Sequence, residues 1–265
     1  MKDLNRSEVK IDPNYIKRDR ILIVTAVEAE REALLRGLGR KQDDRRSEDA
    51  TGAAETDNRN SLDAAGAGRV HVIAGGVGPA AAAASTSAAL ATAGGAYAAV
   101  ISAGIGGGFA GQAEIGSLVL ASEIVCADLG AEAPPQDFVS IDQLGFGTAS
   151  YTADAPLTAR LAEALRAAGL PLAAGPVLTV STVTGTAETA ARLAQRVPGA
   201  TAEAMEGFGV AAAAQLHGVP VVELRAVSNA VGLRDRGAWR IKEALAALEA
   251  AGAVLAEVFE HECDE

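Results

Sequence analysis

The chain has 265 residues, 49% of them apolar but only 3% aromatic, and a formal net charge of −11. That is enough apolar sequence for one large core or two small ones, built from Ala, Val, Leu and Ile. Lys and Arg form no cluster that would neutralise nucleic-acid phosphates, which speaks against duplex binding and against an anionic membrane surface.

The first 19 residues are polar and charged and read as a flexible tail with no apolar leader. ILIVTAV (21–27) is a buried strand by composition, and EAEREALLRGL (28–38) a helix. Residues 40–67 mix charge, Gly and Ala without an apolar period, and read as a low-complexity, disordered insertion. Order resumes with RVHVIA (69–74), a helix over 79–92 and the strand YAAVISA (97–103). SLVLASEIVCAD (117–128) is one strand, or two with a bend, and 130–156 a long loop. A helix near 156–168, a strand over 175–182 and helices over 186–197 and 205–217 follow. The strand 219–229 and a last helix over 238–260 end the pattern. Strands alternating with helices, several as continuous apolar runs, indicate a single α/β domain over 20–262 with a mixed, largely parallel sheet covered on both faces.

Cys126 and Cys263 are the only cysteines, and no stretch is long and apolar enough to span a bilayer, so a reducing cytoplasm is the expected location. His71, His217 and His261 show no metal-ligand spacing, and neither a metal nor another cofactor is expected.

AGGVGPAAAAAS (74–85) poses the first chemical question, because Gly76, Gly78 and Ala81 fit the dinucleotide fingerprint after a strand and before a helix. Pro79 suits a first helical turn, where its missing N–H is no loss. The wider context fails. The next strand ends ISAGIGGG (101–108), without the acid that would hold a ribose. Two readings stay open: a glycine turn for close strand–helix packing, or backbone brought close to another small ligand.

The strand ends in order are TAVEAE (25–30), AGGVG (74–78), SAGIGGG (102–108), VSTVTGT (180–186), AEAMEGFG (202–209) and RAVSNAVGLRDRGAW (225–239). This series resembles the nucleoside phosphorylase and nucleosidase superfamily, nearest the branch that cleaves methylthioadenosine and S-adenosylhomocysteine. ISAGIGGGF, ADLGAE (127–132), LGFG (144–147), EAMEGFG and SNAVGLRDRGAW together resemble the futalosine hydrolase family of menaquinone biosynthesis. The resemblance covers about residues 20–255 and implies a purine nucleoside phosphorylase-like fold, a homo-oligomer, a nucleoside substrate and cleavage of its N-glycosidic bond. Another 6-oxopurine nucleoside hydrolase or phosphorylase, or a non-catalytic nucleoside-binding module, is the alternative.

On this resemblance Glu30 matches the water-activating glutamate, and Met205 with Glu206 the Met–Glu pair at the ribose. By itself, an acid at 28 or 30 would equally favour a helix dipole. Glu203 is ambiguous, a solvated acid being one reading. Arg225 matches an arginine near the attacking water, or is an ion-pair partner in the structure. Gly78, Gly104, Ile105 and Gly106 line the substrate. Asn229 stands where adenine-cleaving relatives carry Asp. Its amide donor suits N7 and O6 of a 6-oxopurine, whose easier departure lessens the need for a strong acid. Val183 and Thr184 replace a Phe–Ile pair of the base pocket, so Phe146 or Phe138 from the long loop is expected to supply the stacking surface. Arg234 and Arg236 are candidates for the carboxylate of the 5′ benzoate, the alternative being a surface network with Asp235. Trp239 stacks on the substrate's ring or anchors the helix. Neither AGGVGPA nor ISAGIGGGFAG holds a cation for phosphate, which favours water as the nucleophile.

Overall fold

The structure is a computed structural model and describes residues 18–39, 69–134 and 138–260. The insertion expected over 40–67, and the tail up to residue 17, lie outside the described residues. Among the described residues ten strands and six α-helices follow one another: β1 (Arg20–Thr25), α1 (Glu28–Gly37), β2 (Val70–Ala74), α2 (Pro79–Thr92), β3 (Tyr97–Gly108), β4 (Leu118–Cys126), β5 (Gly130–Ala131), β6 (Val139–Ser140), β7 (Ser150–Thr152), α3 (Ala155–Ala167), β8 (Leu172–Thr179), α4 (Ala187–Arg196), β9 (Ala202–Ala204), α5 (Gly207–Leu216), β10 (Val221–Ala230) and α6 (Ile241–Glu260).

Eight strands form one mixed sheet, and β5 pairs with β6 separately. β2, β1, β3 and β10 run parallel in that order. β10 then pairs antiparallel with β4, β4 parallel with β8, and β8 parallel with β9. β9 returns antiparallel to the end of β3, so β3, β10, β4, β8 and β9 close a ring, with β1 and β2 as an open wing.

The apolar runs read as strands are the buried centre of this sheet: Leu22, Ile23, Val100, Ile101, Leu120 and Leu224 have no exposed surface. One face packs against α1, α3 and α6 through Leu34, Leu161, Leu165, Leu248 and Leu255. The other packs against α2 and α5, whose small side chains (Ala82, Ala211, Ala214) let the two helices meet closely. Burial of roughly 25 cal/mol per Å² of apolar surface makes these two layers the main stabilising term. Local signals start the helices: Pro79 lies in the first turn of α2, and Asp154 and Thr186 cap α3 and α4 by accepting from Leu157 N–H and Thr189 N–H.

Three differences from the sequence reading bear on the site. β3 runs five residues further than 103, because β10 on one side and β9 on the other keep the glycine-rich AGIGGG extended. β9, only three residues long, is a strand the sequence reading does not contain, and α5 begins at Gly207, two residues after the expected 205. The loop 130–156 contains β5, β6 and β7, the last pairing with β4.

Candidate active site

The C-terminal ends of β1, β3 and β10 meet the start of α5, as ligand sites in open α/β sheets do. Register places Arg225 opposite Gly104 and Asn229 opposite Gly107. The return of β9 pairs Glu203 with Gly107 and carries Met205 and Glu206 to the same edge.

Glu30 is buried (3% exposed) at the first turn of α1. Its Oε2 accepts from the N–H of Ala26 (2.9 Å) and of Val27 (3.2 Å), and its Oε1 accepts from Ile105 N–H (2.9 Å) on β3. The same carboxylate thus caps α1 and ties the β1–α1 turn to β3. Burial raises its pKa above the usual carboxylate range, while the backbone donors and Arg225 pull against that rise. Glu28, by contrast, is exposed and pairs with Arg31 at 2.5 Å, a solvated helix acid.

Arg225 is buried at 1% exposure on β10. Its Nε donates to Glu223 Oε1 (2.8 Å), its Nη2 to the Ser102 hydroxyl (2.9 Å) and its Nη1 to Glu206 Oε2 (3.3 Å). Burial works against its charge, but Glu223, Glu206 and Glu30 outweigh this and hold its pKa above the ordinary value. Glu206, also buried, accepts from Met205 N–H (3.3 Å) and from Gly78 N–H (3.2 Å). Gly78 has φ +89°, and that conformation aims its N–H at Glu206. The fingerprint-like turn therefore faces a carboxylate, and a pyrophosphate at the same N–H would be repelled.

Gly104 keeps this arrangement tight. A Cβ there would lie 2.7 Å from Arg225 Nη1 and 2.8 Å from Glu30 Oε1. Glu30, Ile105, Gly104, Arg225, Glu206, Met205 and Gly78 therefore form one connected site. Gly106 acts in packing, since its Cβ would meet the Glu203 carbonyl at 2.7 Å.

Asn229 is half-buried at the end of β10 beside Gly107. Its Oδ1 accepts from the Ser228 hydroxyl (2.8 Å), and its Nδ2 donates to Ala230 carbonyl (3.0 Å). With one amide N–H given to Ala230, the Nδ2 group has a second N–H to donate.

Val183 is 40% exposed and Thr184 buried, on the loop between β8 and α4. Thr184 N–H and hydroxyl both donate to Glu203, and Ser181 N–H donates to Asp128 (2.6 Å), so two acids pin this loop. Glu203, ambiguous in sequence, is buried, because β9 threads it between β3 and β8. Burial raises its pKa, against the two Thr184 bonds and helped by Asp128. A cavity of about 630 Å³ opens beside Val183 and Thr184, and Phe138 lines it. The Phe138 ring lies 3.6 Å under the Arg196 guanidinium. Phe146 does not line that cavity and is 77% exposed.

The 3₁₀ turn Arg236–Ala238 and the residues before it sit next to the same loop, tied by Arg234 N–H to Gly185 carbonyl (3.3 Å). Arg234, Asp235 and Arg236 are exposed. Asp235 accepts from Gly237 N–H (3.0 Å), and among the described residues no Arg–Asp ion pair forms in this stretch. Trp239 is half-buried. Sequence reasoning does not single out Glu223 or Ser102; two residues before Arg225 on one strand, Glu223 lies on the same face, which is the signal that could have marked it.

No group of three or more His, Cys, Asp or Glu among the described residues is arranged to hold a metal ion. The Cys126 thiol is pushed up to about 11 by burial and by Asp128, which keeps it protonated and unreactive at neutral pH.

A family model described as the phosphorylase superfamily matches residues 20–261. The chain is 58% identical over 192 residues to a futalosine hydrolase of Streptomyces coelicolor, covering 71% of this chain and 79% of that protein. It is 50% identical over 159 residues to a futalosine hydrolase of Acidothermus cellulolyticus, covering 60% and 64%. The solved structure of futalosine hydrolase from Helicobacter pylori superimposes with a TM-score of 0.69 at 19% identity, covering 91% of this chain and 97% of that one.

Proposed function

The chain belongs to the phosphorylase superfamily and, within it, to the futalosine hydrolase family, and on that premise we propose that it cleaves the N-glycosidic bond of futalosine with water, giving hypoxanthine and dehypoxanthine futalosine for menaquinone biosynthesis. The observation that carries the mechanism is the buried Glu30–Arg225–Glu206 cluster closed over Gly104. Glu30 takes a proton from the water that attacks the anomeric carbon, and its raised pKa makes it a better base than a free carboxylate. Glu206 accepts from the ribose hydroxyls and stabilises the oxocarbenium-like charge as the bond to the purine breaks. The purine leaves as an anion, with the Asn229 amide donating to it. Met205 packs against the sugar, and Gly78 carries the turn that holds Glu206.

Water is favoured over phosphate by the charge of the cluster. Arg225 is already engaged by Glu223 and Glu206, and Gly78 N–H already donates to a carboxylate. A phosphate beneath the sugar would meet Glu30 and Glu206, with Arg225 already paired to carboxylates.

Arg234 or Arg236 clamps the benzoate carboxylate, with both guanidinium groups exposed for it. Phe138 takes the stacking role over Phe146, since it lines the cavity beside Val183 and Thr184. The protein works as a cytoplasmic homo-oligomer, independent of cofactor and of nucleic acid, with 20–262 as one domain. Among the described residues no helix is long and apolar enough to cross a membrane.

The test is hypoxanthine release, in phosphate-free buffer, from futalosine, inosine and methylthioadenosine separately. Release from futalosine alone is expected. Inosine turnover, or a phosphate requirement, would replace this reading by a general 6-oxopurine nucleosidase or phosphorylase; tight binding without turnover would leave a binding module.

A further inference from the structure

Glu223 has no part in the reaction above, yet it is fully buried on β10, two residues before Arg225 and on the same face. A buried carboxylate is costly unless it is paired. Its Oε1 accepts from Arg225 Nε at 2.8 Å, and among the described residues its Oε2 accepts no hydrogen bond. Nε and Nη2 form one edge of the guanidinium fork, and Glu223 and Ser102 hold that edge. Nη1, at the opposite corner, faces Glu206 and the Gly104 backbone where Glu30 also closes in.

A second observation concerns Gly207, the first residue of α5. A Cβ there would lie 2.2 and 2.3 Å from the two Glu223 oxygens. The backbone at this position is not in the left-handed region, so glycine is needed for the space it leaves. The residue directly after Glu206 therefore makes room for the carboxylate that holds Arg225.

We propose that Glu223 is a positioning residue: it clamps the Nε edge of Arg225 and so keeps Nη1 between the water-activating and the ribose-binding carboxylates. The inference rests on the hydrolase reading for its effect on turnover, but the clamp itself is a property of the free protein. With the clamp in place Arg225 charge lowers the proton affinity of Glu30. Released, the guanidinium turns away and Glu30 holds its proton to higher pH.

The experiment compares wild type, Glu223→Gln, Glu223→Ala, Gly207→Ala and the Glu223→Ala/Gly207→Ala double variant. The readouts are kcat and KM for futalosine across pH, thermal unfolding, and ¹³C NMR titration of the glutamate carboxyls without substrate. Glu223→Ala is expected to lower kcat by about 100-fold through misplacement of the arginine, with KM little changed. Gln keeps an oxygen for Nε, so Glu223→Gln should lose no more than about tenfold. Gly207→Ala should lower kcat while retaining the Glu223 charge, and should cost nothing further once Glu223 is Ala, since the clash partner is gone. In Glu223→Ala and Gly207→Ala the Glu30 titration and the acid limb of kcat move to higher pH.

Equal losses in Gln and Ala variants, additive losses in the double variant, or an unmoved Glu30 titration in folded protein would each overturn the proposal. Should Glu223→Ala not fold, Glu223→Gln and Gly207→Ala carry the comparison. If wild type releases no hypoxanthine from futalosine but the titration still moves in the variants, the substrate reading fails and the clamp stands.

Discussion

Gly104→Ala tests the site at its tightest point. The added methyl would meet Arg225 Nη1 at 2.7 Å and Glu30 Oε1 at 2.8 Å, so each must retreat by about 0.6–0.7 Å to reach ordinary contact at 3.4 Å. Neither group has slack, because Glu30 is held by three backbone N–H groups and Arg225 by three side chains. A misplacement of about 1 Å at a reacting group costs on the order of 100-fold, so a shift of this size should lower kcat by roughly 10- to 100-fold. Stability should change less. Overpacking costs about 1–3 kcal/mol, while Ala in place of Gly in a strand returns roughly 0.5–1 kcal/mol. The assay is hypoxanthine release from futalosine at saturating substrate, with thermal unfolding of the same preparations. A folded Gly104→Ala protein with kcat within twofold of wild type would refute the claim that Glu30 and Arg225 meet over Gly104.

Three further outcomes follow from the same geometry. Burial raises the Glu30 pKa, so the acid limb of kcat/KM should lie above the ordinary carboxylate value of 4.5, and Glu30→Gln should abolish that limb along with about 10²–10⁴-fold of rate; a limb at or below 4.5 in a pH–rate profile contradicts this. Asn229→Asp replaces a donor by an ionised acceptor, and a lost charged or polar contact of about 1.5–3 kcal/mol should reduce kcat/KM for futalosine by roughly 10- to 100-fold; steady-state kinetics showing an unchanged value would remove Asn229 from the purine. Glu203 has a folded pKa raised by burial, so its protonated form favours the fold: its contribution is fully present below the unfolded pKa and is lost as pH rises through the raised value. Glu203→Gln should therefore gain stability relative to wild type from pH 4.5 upward, and a thermal-melt difference that is flat with pH would show that Glu203 titrates normally.

Much of the architecture was legible because it is local. Ile21–Val24, Val100–Ile101 and Leu118–Leu120 are continuous apolar runs, and such runs need both faces covered. Pro79, Asp154 and Thr186 mark helix starts by chemistry confined to one turn. Glu30, Glu206, Arg225 and Asn229 were singled out by motif order, and their strand-end positions could be read along the chain. What the motif could not supply is which atoms meet.

Tertiary structure alone decided the rest. Glycines at 104 and 106–108 argue locally for a turn, yet β10 and β9 crowd both sides of β3 and extend it, because pairing outweighs the weak intrinsic preference. Glu203 is ambiguous in sequence and nothing there singles out Glu223, since charge says nothing of burial when a three-residue strand or a sheet centre encloses it. Phe138 and Phe146 are equivalent candidates until the loop folds, and then Arg196 draws Phe138 alone to the cavity wall. The sequence by itself determined the long strands and helices and the candidate residue types of the site, because propensity and composition act over a few neighbours. Closure of the strand ring decided which of those residues touch, because it joins Gly104, Glu206 and Arg225 across more than a hundred residues of chain.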